Sequence, residues 1–503
     1  MEENLRAKTF FSIIWSYIGK FGSQVIAIIP AMILARLLGP SQYGLIAMAG
    51  VFTGIAYQLA DAGFGNALIQ KKDADNIDYS TVFFFNIGIC GFIYLIIFFC
   101  ATPISEFFHE PQLVAIVRVS SLGIIIIAFG QIQTLIFKKN LNYKSQVLRN
   151  LSCQILSVII AILLAYKGFG VWALVIQGLT STAGTVIINW FISTWRPTAV
   201  FSLNRLKRLF NFGSKTLASS LIDYGFNKAY EVVIGRVYNP ASLGLYNRAF
   251  STADIFKSSF FSVFSGVTFP VFVRMQDDNE RLVTNIRKFL QIITLIVFSG
   301  MGTVIILGHP IFLFMYSTKW DAAVNLFGVA CCIAMVTPIV SILESIILAK
   351  GYSGRFLMVS IIRKFFVVAV IGCVWQFGVM WLMVGQLIVS ICECTIYTFV
   401  TRQIVGYSIG YLMHDIFPSL LVGLGVCSIA LGSNQILLWL TPSVDHTDMM
   451  FLLTQIIIGI AIAIIAFVAI CKLTRCRAYI ELLQFIEDSV GPKKILTYLK
   501  CKA

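Results

Sequence analysis

Long apolar segments recur along the whole chain, and short polar segments separate them. A helix needs about 20 mostly apolar residues to cross the hydrocarbon core of a bilayer, so each segment of that length predicts one membrane-spanning helix. The pattern predicts fourteen such helices. They lie at residues 10–36, 41–69, 80–103, 112–137, 147–167, 169–195, 209–237, 241–273, 288–307, 321–349, 354–377, 379–401, 411–438 and 449–471.

Composition agrees with an all-α integral membrane protein. The chain is 58% hydrophobic and only 12% charged, whereas a soluble domain has roughly 25% charged residues. Because the helices use most of the chain, little is left for a folded domain in water, which excludes most enzymes with an aqueous catalytic domain. No catalytic residue, cofactor or metal site is expected, since the cysteines form no CxxC pair and the four histidines are far apart in sequence.

The charge balance predicts the orientation. The chain carries 38 Lys and Arg against 23 Asp and Glu, a net charge of +15, which in a membrane protein reflects basic cytoplasmic loops rather than a nucleic-acid partner. Basic connections include the segment from Lys138 to Arg149 and the segment from Arg196 to Arg208. An even number of spans then places both termini in the cytoplasm. The tail, residues 474–503, is amphipathic and lies either on the inner leaflet or in water.

An internal repeat suggests how the helices are organised. ARLLGPSQYGLIAMA, residues 35–49, aligns without a gap with GRVYNPASLGLYNRA, residues 235–249. The identical positions are Arg36/Arg236, Pro40/Pro240, Gly44/Gly244, Leu45/Leu245 and Ala49/Ala249. Both copies join an odd helix to an even one on the same side, which is typical of parallel repeats in transporters; the alternative is chance recurrence of a Gly/Pro turn.

The repeat predicts two six-helix lobes related by a pseudo-twofold axis along the membrane normal. The N-terminal lobe is residues 1–200 and the C-terminal lobe is residues 201–405. Two extra helices occupy residues 406–473, and the cytoplasmic tail follows at residues 474–503.

Ionisable residues inside apolar spans indicate a wet cavity, because a charge against lipid costs several kcal/mol. Cations slightly outnumber acids there, which favours an anionic passenger such as a phosphate-bearing molecule. The candidate substrate-binding cations are Lys20, Lys215, Lys228, Arg248 and Lys257. The candidates for proton or sodium coupling are Asp61, Asp223, Asp254, Glu344 and Glu393.

A structural role is the alternative for several of these charges. Lys228 with Glu231, and Asp254 with Lys257, are three residues apart, so each pair can neutralise itself within one helix. Isolated acids can likewise be buried, hydrogen-bonded carboxylates.

The chain resembles bacterial polysaccharide-biosynthesis flippases of the colanic-acid exporter type. The resemblance rests on the stretch that begins ARLLGPSQYGLIAMAG and on FPVFVRMQDDNERL, STKWDAAVNLF and LAKGYSGRF, and it runs from about residue 5 to 405. These proteins belong to the multidrug/oligosaccharidyl-lipid/polysaccharide exporter superfamily. The resemblance implies an inner-membrane protein with twelve core helices that moves undecaprenyl-diphosphate-linked oligosaccharide to the periplasmic leaflet by alternating access.

The expected function is therefore transport of a lipid-linked oligosaccharide for surface polysaccharide such as lipopolysaccharide, capsule or exopolysaccharide, without covalent chemistry. The expected partners are this substrate, membrane lipids, and a polysaccharide polymerase with other assembly proteins. A cation-coupled multidrug exporter of the same superfamily is the first alternative. A membrane-embedded polysaccharide polymerase or glycosyltransferase is the second, although such enzymes generally need a larger external loop than this chain offers.

Overall fold

The computed structural model describes residues 28–61, 68, 71, 73–139, 143–441, 447–474 and 476–490. At residues 61, 143–145, 208–216, 262–267 and 484–490 it describes the main chain only. Throughout these residues the regular secondary structure is helical. The predicted all-α fold class is confirmed.

The chain divides into two compact units, Met1–Asn247 and Arg248–Ala503. The helices of the first unit are α1 (Ile28–Leu37), α2 (Pro40–Asp61), α3 (Asn76–Phe108), α4 (Leu113–Ser120), α5 (Leu122–Lys139), α6 (Tyr143–Tyr166), α7 (Val171–Ile192), α8 (Leu203–Asn227) and α9 (Ala229–Val237). Helix α10 (Pro240–Arg274) begins in this unit and continues into the second.

The second unit then contains α11 (Asn279–Ile306), α12 (Gly308–Tyr316), α13 (Ala323–Ala349), α14 (Ser353–Val374), α15 (Val379–Val405), α16 (Ile409–Leu440), α17 (Met449–Leu473) and α18 (Arg477–Val490). A short 3-10 turn, Thr318–Trp320, follows α12. Helix α11 packs against α13 and α16, and α13 packs against α15.

Among the described residues, 11 helical segments are long and apolar enough to cross a membrane. They coincide with eleven of the fourteen predicted spans. Helices α8 and α10 lie where the seventh and eighth spans were predicted and are more polar, and most of the first predicted span lies outside the described residues. The total of fourteen, the two-lobe arrangement and the predicted lobe boundaries stay predictions.

The structure corrects the sequence-based helices at three places. The predicted helix 209–237 is broken at Lys228 into α8 and α9. The predicted helix 112–137 is broken at Ser121 into α4 and α5. The predicted connection before residue 321 carries α12 and the 3-10 turn. Hydropathy averages over a whole window, so it does not detect a break of one residue such as Ser121 or Lys228.

Large apolar side chains on the outside of the helices are suited to lipid. Phe365 of α14 is 72% exposed and Ile465 of α17 is 68% exposed. A soluble protein rarely exposes such surfaces in contiguous patches, whereas in a bilayer they contact acyl chains. The protein is therefore a multi-pass membrane protein.

Ion pairs hold the beginning of α3 to the first turn of α8 and to Lys71. Asp75 and Asp78 form a reciprocal capping box at the start of α3, which satisfies main-chain N–H groups that the first turn leaves open. Arg205 pairs with Asp75 at 2.5 Å and with Asp78 at 3.2 Å, and Lys71 pairs with Asp78 at 2.5 Å. The hydrogen bond from Arg205 lowers the pKa of Asp75 to about 2.

The two repeat segments contact each other in the first unit. A Cβ atom at Gly44 would lie 1.6 Å from the main-chain oxygen of Pro240, and one at Gly244 would lie 1.9 Å from the main-chain oxygen of Pro40. The contact is reciprocal, as expected for two equivalent segments around a local twofold axis. It forms between main chains, so only glycine fits at either position.

Candidate functional site

The structure describes seven of the ten predicted site residues with their side chains. Lys20 lies outside the described residues. Asp61 ends α2 and Lys215 lies in α8, and only their main chains are described. The other seven are on α8, α10, α13 and α15 and at the junction of α8 and α9.

Lys228 lies at the break between α8 and α9, where it ends one helix and caps the next. Its Nζ is 2.6 Å from Oε1 of Glu231, whose side chain is 11% exposed. The ammonium also lies 6.0 Å from the ring centroid of Tyr224. The pairing that the sequence left open is therefore formed, and Lys228 does not supply an uncompensated positive charge. Discontinuous helices are nevertheless characteristic of transporter binding sites.

Helix α2 packs closely against the end of α8 near this break. The hydroxyl of Tyr224 donates to the main-chain oxygen of Gly50 at 3.2 Å. A Cβ atom at Gly54 would lie 1.7 Å from the same hydroxyl. Glycine at position 54 therefore leaves space for Tyr224, whose ring lies beside the ammonium group of Lys228.

The remaining predicted residues on α8 and α10 are more exposed. Asp223 on α8 is half-buried. On α10, Lys257 forms an ion pair with Asp254, whose side chain is 64% exposed. An exposed pair of this kind contributes only about 0–1 kcal/mol to stability, and its net charge is zero.

Arg248 is buried against aromatic rings in the second unit. It is 8% exposed, and its guanidinium carbon lies 4.9 Å from the ring centroid of Tyr316 and 5.3 Å from that of Trp320. The hydroxyl groups of Thr252 and Tyr316 are hydrogen-bonded at 2.9 Å, which fixes the first ring. Arginine stacks on aromatic faces better than lysine because its guanidinium is planar.

The sequence analysis missed both aromatic partners of Arg248. They lie on α12 and the 3-10 turn, in the stretch that was predicted to be a plain connection. Trp320 belongs to the STKW segment on which the family resemblance partly rests. That match was the available signal, but it carried no information about a contact with α10.

Glu344 and Glu393 belong to one buried cluster on α13, α14 and α15. The hydroxyl of Tyr397 donates to Oε1 of Glu344 at 3.1 Å. Arg363 of α14 lies 3.3 Å from Oε2 of Glu393, whose side chain is 9% exposed. Two carboxyl groups thus share a cluster with one guanidinium. When both are ionised the four side chains carry a net charge of −1, which a proton or a monovalent cation would neutralise.

Arg149 is a buried cation that the sequence analysis placed in a cytoplasmic connection. It lies in α6 and is 3% exposed, with its guanidinium carbon 4.9 Å from the ring centroid of Phe137. None of its three guanidinium nitrogens has a hydrogen-bond partner in the part of the chain that the structure describes. A signal for its burial was present, because Cys153, Ser157 and Ala161 follow at intervals of four residues and share its buried face.

Replacement of Arg149 by methionine should leave stability unchanged or raise it. An arginine inside a span costs about 2.5–3.5 kcal/mol, and the ring of Phe137 offsets only part of that cost. The measurement is thermal unfolding of the purified protein. Arg118→Met is the control, because Arg118 donates to the main-chain oxygen of Phe98 at 3.2 Å and stacks on its ring. That variant should be less stable, and an equal loss in both variants would contradict the prediction.

The described residues contain no group of three or more His, Cys, Asp or Glu side chains that could hold a metal ion. Buried cations and acids on spans are typical of membrane transport proteins.

Comparison of the sequence with known proteins gives three informative similarities. The sequence model of the family described as "Polysaccharide biosynthesis protein" matches residues 33–325. The lipopolysaccharide biosynthesis protein WzxC of Escherichia coli (strain K12) is 23% identical over 415 residues, which cover 80% of this chain and 83% of WzxC. The succinoglycan biosynthesis transport protein ExoT of Rhizobium meliloti (strain 1021) is 26% identical over 65% of this chain and 67% of ExoT.

Among solved structures, the lipid II flippase MurJ in an inward closed conformation has the same fold. It superposes with a TM-score of 0.70 and 14% sequence identity, covering 92% of this chain and 99% of the MurJ chain. At that identity the likeness concerns the fold alone.

Proposed function

The chain belongs to the polysaccharide biosynthesis protein family, and from that membership we propose that it flips a lipid-linked oligosaccharide across the bacterial inner membrane. The passenger is an oligosaccharide on undecaprenyl diphosphate, delivered from the cytoplasmic to the periplasmic leaflet by alternating access. The product is used to assemble a surface polysaccharide. Both termini are in the cytoplasm in this proposal, and a polysaccharide polymerase receives the flipped unit.

One observation carries the proposal. Two relatives that match most of their own length, WzxC and ExoT, are named for the synthesis of different surface polysaccharides, and ExoT is named as a transport protein. What their names share is the biosynthesis of a polysaccharide rather than one particular sugar. The fold of a lipid II flippase over 92% of this chain agrees with that step.

The physical task is desolvation rather than bond chemistry. Moving a diphosphate and several sugars through hydrocarbon would remove their hydrogen bonds to water, which costs several kcal/mol for each polar group. Arginine and lysine can replace part of the lost hydration of the diphosphate through charge-assisted hydrogen bonds. Arg248 is the described cation that we assign to this role, together with Lys20 and Lys215 on the sequence prediction.

The alternatives receive less support. A multidrug exporter could share this fold, since a fold does not fix a function, but the two named relatives act in polysaccharide biosynthesis. A polymerase or glycosyltransferase would be an enzyme, and ExoT is named a transport protein.

Deletion of the protein in its native host, followed by analysis of lipid-linked sugars, tests the function. A flippase predicts accumulation of completed repeat units that face the cytoplasm. Unfinished units would point to a glycosyltransferase. Unchanged lipids together with drug sensitivity would point to the multidrug alternative, and either result would overturn the proposal.

Arg248→Ala should abolish polysaccharide export at a normal protein level, because it removes a buried cation. Arg248→Lys should retain part of the export, since it keeps the charge but loses most of the stacking on Tyr316 and Trp320. The measurement is surface polysaccharide in the complemented deletion strain, with protein amount determined in parallel. Arg274→Ala, at the exposed end of the same helix, should export normally. Full export by Arg248→Ala would exclude a substrate-binding role.

The cluster of Glu344, Glu393, Arg363 and Tyr397 supports a role in ion coupling. Binding of a proton or sodium ion would release Arg363 from Glu393 and so change how α14 packs on α15. Glu393→Gln should uncouple export from the ion gradient, which is measured with purified protein in vesicles under an imposed pH or sodium gradient. Glu393→Gln with gradient-dependent flipping equal to that of the unchanged protein would exclude this role.

A further inference from the structure

A cavity lies where α16 begins, α17 ends and α18 begins. Its volume is about 370 Å³, within the range of about 300–1,000 Å³ that is typical of small-ligand sites. Its polar lining includes Gln291, His414, Asp415, Ser419, Thr474 and Arg477, and its apolar lining includes Pro418, Leu421, Val422 and Ile470. We call this space the α18 cavity.

The buried acid in the lining is already neutralised. Asp415 has a fully buried side chain, and both of its oxygens lie 3.0 Å from Nε of Arg287. Gln291 and Tyr407 donate to the same carboxylate at 2.7 and 3.2 Å. Both carboxylate oxygens of Asp415 therefore already accept hydrogen bonds, and the charge is balanced by Arg287. Asp415 does not make the cavity a site for cations.

Arg477 brings an exposed positive charge to the described lining, since its side chain is 75% exposed. His414 in the same lining is 74% exposed, and Lys472 is an exposed cation near the end of α17. Glu481 pairs with Arg477, but the described contact of 3.2 Å uses Nε alone. The amino end of α18 adds a partial positive charge from its main-chain N–H groups.

The cavity combines this polar mouth with an apolar wall at the end of two membrane-crossing helices. Ile470 lies one turn from the end of α17, and Pro418 and Leu421 lie within the first four turns of α16. Neighbouring Leu473 is 84% exposed. A ligand with a charged head and an apolar chain would match both parts, and headgroups lie at this depth in a bilayer.

We propose that the α18 cavity binds one anionic glycerophospholipid. Its phosphate contacts Arg477 at the start of α18 and the hydroxyl of Thr474, which caps the end of α17. An acyl chain lies along Leu421 and Ile470. The bound lipid then joins α18 to α16 and α17. This site is separate from the transported substrate and does not depend on the proposed function.

The structure shows why α18 would benefit from such a ligand. Cys476 and Ala478 at its start are buried in a cluster with Leu295, Val422 and Val426, and α18 packs against α11. Arg477 lies between them in the chain, lines the cavity and has a side chain that is 75% exposed, so its guanidinium is accessible to an anionic headgroup.

The test is lipid binding by the purified full-length protein. Phosphatidylglycerol and phosphatidylcholine with identical chains are titrated in detergent, and bound lipid is counted by native mass spectrometry. We expect one tightly bound phosphatidylglycerol. Arg477→Ala should weaken it about fivefold, since one basic residue near an anionic lipid contributes about that factor. Thr474→Trp, which fills the mouth without changing charge, should abolish the bound lipid.

Arg402→Ala is the matched control, because Arg402 is an exposed cation in the last turn of α15, outside the cavity. It should bind phosphatidylglycerol like the unchanged protein. Equal weakening in Arg402→Ala and Arg477→Ala would mean general charge attraction and would overturn the proposal. Binding of undecaprenyl phosphate, but not phosphatidylglycerol, in a manner that depends on Arg477 would also overturn it and would assign the cavity to the substrate lipid.

Discussion

Gly44→Ala should abolish export and destabilise the first unit. The added Cβ would lie 1.6 Å from the main-chain oxygen of Pro240, and real Cβ atoms essentially never approach another heavy atom closer than 3.0 Å. The neighbour is main chain, so no side chain can rotate away. The starts of α2 and α10 must separate, and overpacking of this kind costs about 1–3 kcal/mol. We expect a value at the upper end of that range.

Gly50→Ala on the same helix is the control. A Cβ atom there would meet nothing within 4 Å, and alanine in a helix interior is about 0.8–1.0 kcal/mol more favourable than glycine. The same substitution should therefore destabilise at position 44 and be neutral or stabilising at position 50. Thermal unfolding and export in the complemented deletion strain measure both effects.

Because the contact is reciprocal, Gly244 should be as sensitive to substitution as Gly44. Gly244→Ala should have an effect similar to Gly44→Ala, because its Cβ would lie 1.9 Å from the main-chain oxygen of Pro40. Once either substitution has separated the two segments, the second costs little, so the double variant should be less than additive. If Gly44→Ala is as stable and active as Gly50→Ala, the contact is not required.

Asp415→Ala should be the most destabilising single change in the second unit. The carboxylate is fully buried and accepts from Arg287, Gln291 and Tyr407. Burial and the adjacent Asp415 carboxylate raise the pKa of Tyr407, so its hydroxyl stays protonated as a donor. Removing the carboxylate leaves the Arg287 guanidinium without its partner. Breaking a fully buried pair costs about 3–5 kcal/mol, and because the Arg287 side chain is 29% exposed we expect a loss at the lower end of that range.

A double variant distinguishes the stability lost through an unpaired charge from the stability lost through poorer packing. Asp415→Leu combined with Arg287→Met removes both charges and should recover most of the stability, because apolar replacement of a buried pair is often neutral or stabilising. Asp254→Ala is the control within the same unit, since that carboxylate is 64% exposed beside Lys257 and should contribute at most about 1 kcal/mol. Equal losses in Asp254→Ala and Asp415→Ala would refute this account.

The predicted site residues fall into two groups: those whose partners are near in sequence, and those whose partners lie on other helices. The pairing of Lys228 with Glu231 follows from a spacing of three residues, and the sequence already offered it as the alternative to a free cation. The partners of Glu393 and Arg248 lie on other helices, namely Arg363 on α14 and the rings of α12 and the 3-10 turn. Neither partner could be selected from hydropathy or spacing.

For Arg149, the sequence analysis predicted a solvated charge where the structure has a buried one. Its position near other basic residues predicted a cytoplasmic connection, because the charge count treats each cation as solvated. The structure buries it between helices of the first unit, under the ring of Phe137. The four-residue spacing of Cys153, Ser157 and Ala161 indicated a packed face, and the arginine continues that face by one more turn.

The sequence by itself determined the all-α class, most of the spans, the repeat and the family resemblance. These follow from patterns that are local along the chain, since each helix satisfies its own main chain and must be apolar over about 20 residues to cross the bilayer. Only the tertiary structure decided which charges are compensated, where α8 breaks from α9, and that Gly44 and Gly244 lie against each other's segments. Those properties depend on atoms that are distant in sequence and meet only when the helices pack.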